Sequence, residues 1–317
     1  APGVYTYILP GSSICPDVSS TVTVTVNIEP SAGTNSSIIV CTTDPLIDLY
    51  TQLGPNPDTN GQPDLGGLWV PPLSGGNGIF NPALDPAGVY TYIVAGVAPC
   101  PDASASVTVT VNPLPDAGTN GTVDLCTTST PVDLFTVLGG TPDTGGSWSP
   151  ALASGTGLFN PAVDVAGVYT YTVTGIAPCP NQTATVTVAL NPLPIAGTNG
   201  TAAFCENSPS EDLFTYLGGT PDTGGTWSPA LASGSGLFNP AVDAPGVYTY
   251  TVLGITPCEN QTATVTVTIN LQQDPGTNGA VTLCNSSEPI DLFTLLGGSP
   301  DIGGTWSPAL ISGTSEF

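Results

Sequence analysis

Two residue types carry whatever chemistry this chain has: cysteine and aspartate. The cysteines are Cys15, Cys41, Cys100, Cys126, Cys179, Cys205, Cys258 and Cys284. An even number in regular placement predicts disulfides, and with them an oxidising compartment, extracellular or at the cell surface. Zinc is the competing use of cysteine. It lacks support here, because there is no C-x-x-C pair and no histidine.

The aspartates recur in three sets: Asp48, Asp133, Asp212 and Asp291; Asp58, Asp143, Asp222 and Asp301; Asp85, Asp164 and Asp243. Oxygen ligands of this kind suit calcium, which makes Asp133, Asp143, Asp164, Asp212, Asp222 and Asp243 its candidate ligands. No D-x-D-x-D-G loop accompanies them. The alternative places Asp143 and Asp222 in turns as Asx residues, and the aspartate of V-D-L-F on the solvent side of a strand. No cofactor other than calcium is expected.

Catalysis is not expected. A Ser or Cys nucleophile needs a base, and the chain has neither His nor Lys. Paired carboxylates can hydrolyse glycosides, but these acids recur with each repeat and belong to its framework. The 317 residues hold 24 Asp plus Glu and no Lys, Arg or His, a formal charge of −24. Without cations to meet phosphates, nucleic acid and anionic membrane surfaces are excluded as partners. No run approaches the roughly 20 apolar residues of a membrane helix.

The elements that hold these residues repeat. Trp69, Trp148, Trp227 and Trp306 are each 79 residues apart, and Phe80, Phe159 and Phe238 keep the same period. Cys41 to Cys126 is 85 residues, against 79 for Cys126 to Cys205, so the first complete copy carries six extra residues. They are assigned to Asn60–Leu65, a surface loop. The expected organisation is the tail of a repeat (1–30), complete repeats at 31–115, 116–194 and 195–273, and the head of another (274–317). The chain is expected to be a window on a longer array.

Within a repeat the pattern is β. Val168–Val173 alternates, with Tyr169, Tyr171 and Val173 on one side, and Thr183–Leu190 alternates likewise. Gly175–Gln182, rich in turn residues, joins them as a hairpin. Val132–Leu138, Gly146–Ser149 and Gly157–Phe159 are expected as further short strands. Six or seven strands in about 79 residues predict an all-β fold, a tandem array of small immunoglobulin-like Greek-key β-sandwiches. Trp148 beside Tyr169 and Tyr171 could stack on sugars, but core packing is the more frequent use of such a set. Asn112-Pro-Leu-Pro115 and Asn191-Pro-Leu-Pro194 are expected to be semi-rigid linkers. Six N-x-S/T matches, at Asn35, Asn120, Asn181, Asn199, Asn260 and Asn285, fit the glycosylation pattern.

Two disulfide schemes are open. One lies within repeats: Cys41–Cys100, Cys126–Cys179 and Cys205–Cys258, with Cys15 and Cys284 pairing outside the window. The other crosses each boundary: Cys15–Cys41, Cys100–Cys126, Cys179–Cys205 and Cys258–Cys284, all spaced by 26. A crossing pair has a whole last strand, roughly 25 Å, between the cysteine and the next repeat. The within-repeat scheme is therefore expected.

An early Cys before P-x-D-L-F, then L-G-G-T-P-D-T-G-G-T-W-S-P-A-L, G-L-F-N-P-A, A-G-V-Y-T-Y-T-V and a Cys ahead of T-A-T-V-T-V resembles a known class. It is similar to the immunoglobulin/PKD-like repeats of giant Bacteroidetes surface adhesins, including gliding-motility adhesins exported by type IX secretion. The resemblance covers the whole chain. It implies a structural stalk or filament of a secreted cell-surface adhesin, extending a binding tip for attachment or gliding. Two alternatives remain: each repeat is a weak carbohydrate-binding module acting by avidity, or the repeats self-associate into an extracellular fibre. The expected partners are thus neighbouring repeats, extracellular polysaccharide or other copies of the filament.

Overall fold

The computed structural model describes residues 1–57, 61–155, 157–234, 236–311 and 316–317. Its secondary structure is sheet, with 3₁₀ turns and no α-helix among the described residues. The chain forms two compact units, residues 1–123 with 131–188, and residues 124–130 with 189–317.

The partial repeat at the start is one hairpin, β1 (Gly3–Leu9) with β2 (Val18–Val24). The first complete repeat holds β3 (Ser36–Cys41), β4 (Ile47–Asp48), β5 (Leu68–Val70), β6 (Ile79–Phe80), β7 (Gly88–Val94) and β8 (Ala103–Asn112). The second holds β9 (Gly121–Cys126), β10 (Ser147–Ser149), β11 (Gly167–Val173) and β12 (Gln182–Asn191). The third holds β13 (Gly200–Cys205), β14 (Thr226–Ser228), β15 (Gly246–Val252) and β16 (Gln261–Asn270). Each complete repeat builds a four-stranded sheet in one order: first strand, last strand, its hairpin partner, then the short tryptophan strand. The first strand runs parallel to the last, so that Ser36 faces Val107 and Cys41 faces Asn112; every other pair is antiparallel.

The second layer is thin. In the first repeat β4 pairs with β6. In the second, Val132 and Phe159 form a single bridge, with amide-to-carbonyl distances of 2.8 and 2.7 Å. The fold is an immunoglobulin-like β-sandwich repeated along the chain.

Alternation sets the core as expected. Tyr90, Tyr92 and Val94 from β7, and Ala105, Val107 and Val109 from β8, turn inward onto Leu49 and Phe80. The threonines between them face outward. Tyr90, Tyr169 and Tyr248 each donate their hydroxyl to the carbonyl four residues back, at 2.7, 2.8 and 2.8 Å, so each buried ring keeps its polar end satisfied.

Three expectations need correction. Gly157–Phe159 is not a strand, since only Phe159 pairs there, in the bridge to Val132. Val132–Leu138 is not a strand: Leu134–Val137 is a 3₁₀ turn. Asp133 causes it, its carboxylate accepting from the Phe135 amide at 3.0 Å, and the turn drives Leu134 wholly into the core. The six extra residues also lie earlier than Asn60–Leu65. Asp64 bonds Ser31 through amide and carboxylate (2.8 and 2.9 Å), as Asp143 bonds Asp116 (2.7 and 2.8 Å). Asp64, not Asp58, therefore stands in the place of Asp143, and the insertion precedes Pro63. Asp58 and Asn60 themselves fall outside the described residues.

The third aspartate of each repeat is buried. Asp164 is 4% exposed, and its two oxygens accept from the Ser154 and Asn160 amides at 3.1 and 2.7 Å; Asp85 and Asp243 repeat this. Burial pushes the pKa of Asp164 up, but the amide donors outweigh it and hold the group below its ordinary 3.8. Asp85 and Asp243 are lowered in the same way. A depressed folded pKa means that the unfolded chain takes up the proton more readily. The stability from these groups is thus present above the unfolded value and lost as pH falls through the folded one. Urea midpoints are expected to drop from pH 7 to pH 2.5. The D85N/D164N/D243N variant should start less stable and respond less to acid. Replacing Asp164 with Ala, which strands two buried amides, should cost about 3 kcal/mol.

Candidate functional site: the disulfide-linked repeat junction

The three aspartates of a repeat occupy separate posts and do not form one ligand set. Asp133 and Asp212 cap 3₁₀ turns. Asp143 and Asp222 accept from the amides of Asp116 and Ile195 at 2.8 Å each. Asp164 and Asp243 are buried over their own loops. Among the described residues no three His, Cys, Asp or Glu side chains gather where an ion could sit.

The aromatic set works mainly as structure. Tyr171 is 3% exposed and packs between Trp148 and Phe135, with ring centroids 5.1 and 5.5 Å away. Its hydroxyl accepts from the Gly146 amide at 2.8 Å and donates to the Asp143 carbonyl at 2.7 Å, pinning the P-D-T-G-G turn. Gly146 is required there, because a Cβ would lie 2.5 Å from the tyrosine ring. Trp148 is half-buried. In the first complete repeat, Trp69, Tyr50, Tyr92, Asp48 and Asn77 line a groove of about 500 Å³.

Most of the N-x-S/T asparagines are structural as well. Asn35, Asn120 and Asn199 accept from the amides of Ser106, Thr185 and Thr264 at 2.8–2.9 Å. Asn181 and Asn260 accept from Gly175 and Gly254 across the hairpin loop, a place that Asp17 and Asp102 fill in the earlier copies. Asn or Asp serves equally, so the shared requirement is an acceptor oxygen.

The cysteines overturn the expected pairing. Cys41 bonds Cys179, and Cys126 bonds Cys258, with Cα atoms 5.0 Å apart in each pair. Neither Cys41–Cys100, Cys126–Cys179 nor Cys205–Cys258 forms, and Cys15, Cys100, Cys205 and Cys284 are free thiols. The reason is strand direction. Because β3 runs parallel to β8, Cys41 ends opposite Asn112, while Cys100 lies in the loop before Ala103. The length of β8, about 30 Å, separates them. The head cysteine of one repeat instead meets the hairpin-loop cysteine of the following repeat. Only two such pairs fall within this chain, which accounts for the four free thiols.

A polar clasp surrounds each bond. Asn112, the last residue of β8, donates its side-chain amide to the Ala177 carbonyl at 2.8 Å, two residues before Cys179. Its own carbonyl accepts from the Thr42 amide at 3.0 Å, and Thr42 Oγ1 accepts from the Leu114 amide at 3.1 Å. Asn191 repeats the clasp on the Thr256 carbonyl at 2.9 Å, and Asn27 on that of Ala98 at 2.8 Å. The N-P-L-P segments are thus anchored at their asparagine. This role was missed from sequence, although the asparagine after every last strand was the available signal.

Compared with known proteins, the chain matches no protein-family profile and no curated sequence. Among solved structures it is similar to the N-terminal eight Ig domains of Down Syndrome Cell Adhesion Molecule, at 15% identity and TM-score 0.44, covering 85% of this chain and 40% of that one. The titin I-band fragment I67-I69 matches at 13% identity and TM-score 0.37, over 77% of this chain and 99% of that one. Drosophila N-cadherin EC1-4 matches at 12% identity and TM-score 0.26, over 84% and 83%. This chain therefore spans less than half the length of the first of these.

A non-reducing peptide map should recover Cys41 joined to Cys179 and Cys126 joined to Cys258. A Cys126–Cys179 peptide would restore the within-repeat scheme. Replacing Cys126 with Ser should lower stability by about 3 kcal/mol, as for other disulfides closing long loops.

Proposed function

We propose that the chain is a structural repeat region, a stalk or filament, of a secreted bacterial cell-surface adhesin of the Bacteroidetes gliding-motility kind. It holds a binding tip at a distance for attachment. The observation that carries this reading is the junction. An asparagine clasp recurs between successive repeats at Asn27, Asn112 and Asn191, with a disulfide beside two of the three. A protein whose work lies at one site has no need of identical, covalently fixed connections. Disulfides at such positions support an oxidising compartment outside the cytoplasm. With no Lys or Arg, it also offers no site to trypsin-like proteases. No catalytic role is assigned.

The groove beside Trp69 favours a second reading, a carbohydrate-binding module acting by avidity. The two readings separate on a panel of immobilised bacterial and algal polysaccharides. Under the stalk reading the oxidised chain passes through unretained, and W69A behaves identically. Retention that W69A abolishes would move the function to the groove.

A further inference from the structure

The two disulfides interleave: Cys126 lies between Cys41 and Cys179, and Cys179 lies between Cys126 and Cys258. Following covalent bonds alone, the segment from Cys15 to Cys41 continues through sulfur into Cys179–Cys205. The segment from Cys100 to Cys126 continues into Cys258–Cys284. These are two separate rails, and the core-bearing segments 42–99, 127–178 and 206–257 connect them as rungs. We propose that the chain is a covalent ladder in which disulfide-joined rails carry tension, so that neither unfolding of a repeat nor a single backbone cut between Cys41 and Cys258 parts the molecule. The proposal goes beyond the stalk reading, because it concerns how the chain withstands load and holds whatever the array displays.

The rails have little slack. Of the 26 steps from Cys179 to Cys205, the strands Gln182–Asn191 and Gly200–Cys205 already supply 16 extended residues. Strand residues rise about 3.3 Å each, against a limit of about 3.6 Å for a chain pulled straight. The rungs carry the bulkiest core side chains, such as Phe159 and Tyr171, and the rails supply the smaller ones packed against them, such as Val186 and Val188. A load applied along one rail bypasses the rungs, whereas a pull on the two chain ends crosses from rail to rail through the rung 127–178.

Connectivity gives a sharp consequence. A single cut anywhere between Cys41 and Cys258 leaves one covalent molecule, because at least one disulfide spans every such position. Two cuts in chosen places also leave one molecule. Site-specific protease sequences would be inserted at the exposed Thr144–Gly145 turn and between Pro192 and Leu193, and both cleaved. Residues 1–144 then remain bonded to 145–192 through Cys41–Cys179, and to 193–317 through Cys126–Cys258. The expected result is one band on a non-reducing gel and three after reduction. Release of residues 193–317 without reductant would indicate within-repeat bonds, and release of 1–144 would indicate bonds between adjacent cysteines; either overturns the ladder. Neither result bears on polysaccharide retention, so the ladder and the stalk reading fail separately.

Stretching the oxidised C126S chain by its ends, against the unmodified chain, tests the same topology without insertions. The backbone alone has 316 steps, about 1,100 Å drawn out. The shortest oxidised route runs 40 steps to Cys41, 53 back from Cys179 to Cys126, and 59 from Cys258 to Phe317, about 530 Å. C126S should lengthen that limit to about 620 Å, the route through Cys41–Cys179 alone. For C126S a limit of about 710 Å would mean that each bond closes a loop inside one repeat, and the ladder would be wrong.

Discussion

The parallel pairing of the first strand of each repeat with its last strand decides the rest. Its register sets Cys41 against Asn112 and Cys205 against Asn270, at the end of the sheet where the chain leaves for the next repeat. Had the first strand run antiparallel, the head cysteine would sit by its own hairpin loop and each bond would close inside one domain. Direction alone turns Cys41, Cys126, Cys179 and Cys258 into links between repeats. The asparagine that closes the last strand then reinforces the same corner, its side chain reaching forward and its carbonyl reaching back to Thr42 or Thr127.

Much of the sandwich was legible because its signal is local. Tyr169, Tyr171 and Val173 alternate with threonines, and a period of two fixes which face is buried whatever the strand pairs with. Strand direction leaves no such mark, since alternation reads the same for parallel and antiparallel neighbours. The spacing of Cys41 and Cys179 is likewise silent, being one repeat plus a remainder. V-D-L-F misled for a related reason: its apolar residues suit a strand, while its aspartate, by bonding the amide two residues on, nucleates a turn. The insertion was misplaced because P-N-P-D-T at 55–59 copies the local letters of P-D-T at 142–144. The bond from Asp64 to Ser31, and that of the Tyr92 hydroxyl to the Asp64 carbonyl, show which aspartate holds the post.

The absence of cations gives these aspartates their character. Where Lys and Arg are present, a carboxylate satisfies itself at little cost with a mobile partner. Here the side chains offer it only neutral donors, and the strong ones are backbone amides. Each recurring aspartate accordingly fixes a piece of main chain: Asp133 the 3₁₀ turn, Asp143 the entry to the repeat at Asp116, and Asp164 the loop from Ser154 to Asn160. A charged acceptor strengthens such bonds relative to a neutral one, and the burial of Asp164 is tolerable for that reason. The same acids that look like metal ligands in the sequence are spent on holding loops.

That economy also explains how a thinly charged chain sustains a repeat of this size. A sandwich whose second layer is a two-residue pairing or a single bridge has a small core, and with no surface ion pairs its sides add little. Two devices compensate, and both act at fixed points of the backbone. Aspartates tie loops within the repeat, and cysteines tie the repeat to its successor. The first depends on pH and the second on redox state, so the fold is most secure in a neutral, oxidising medium. Covalent continuity also takes over where a thin core is weakest, because a repeat that opens under load stays bonded through sulfur to the next repeat. The small core and the interleaved disulfides are therefore one design: the repeat need not be individually strong, provided that it is never the only path through which tension runs.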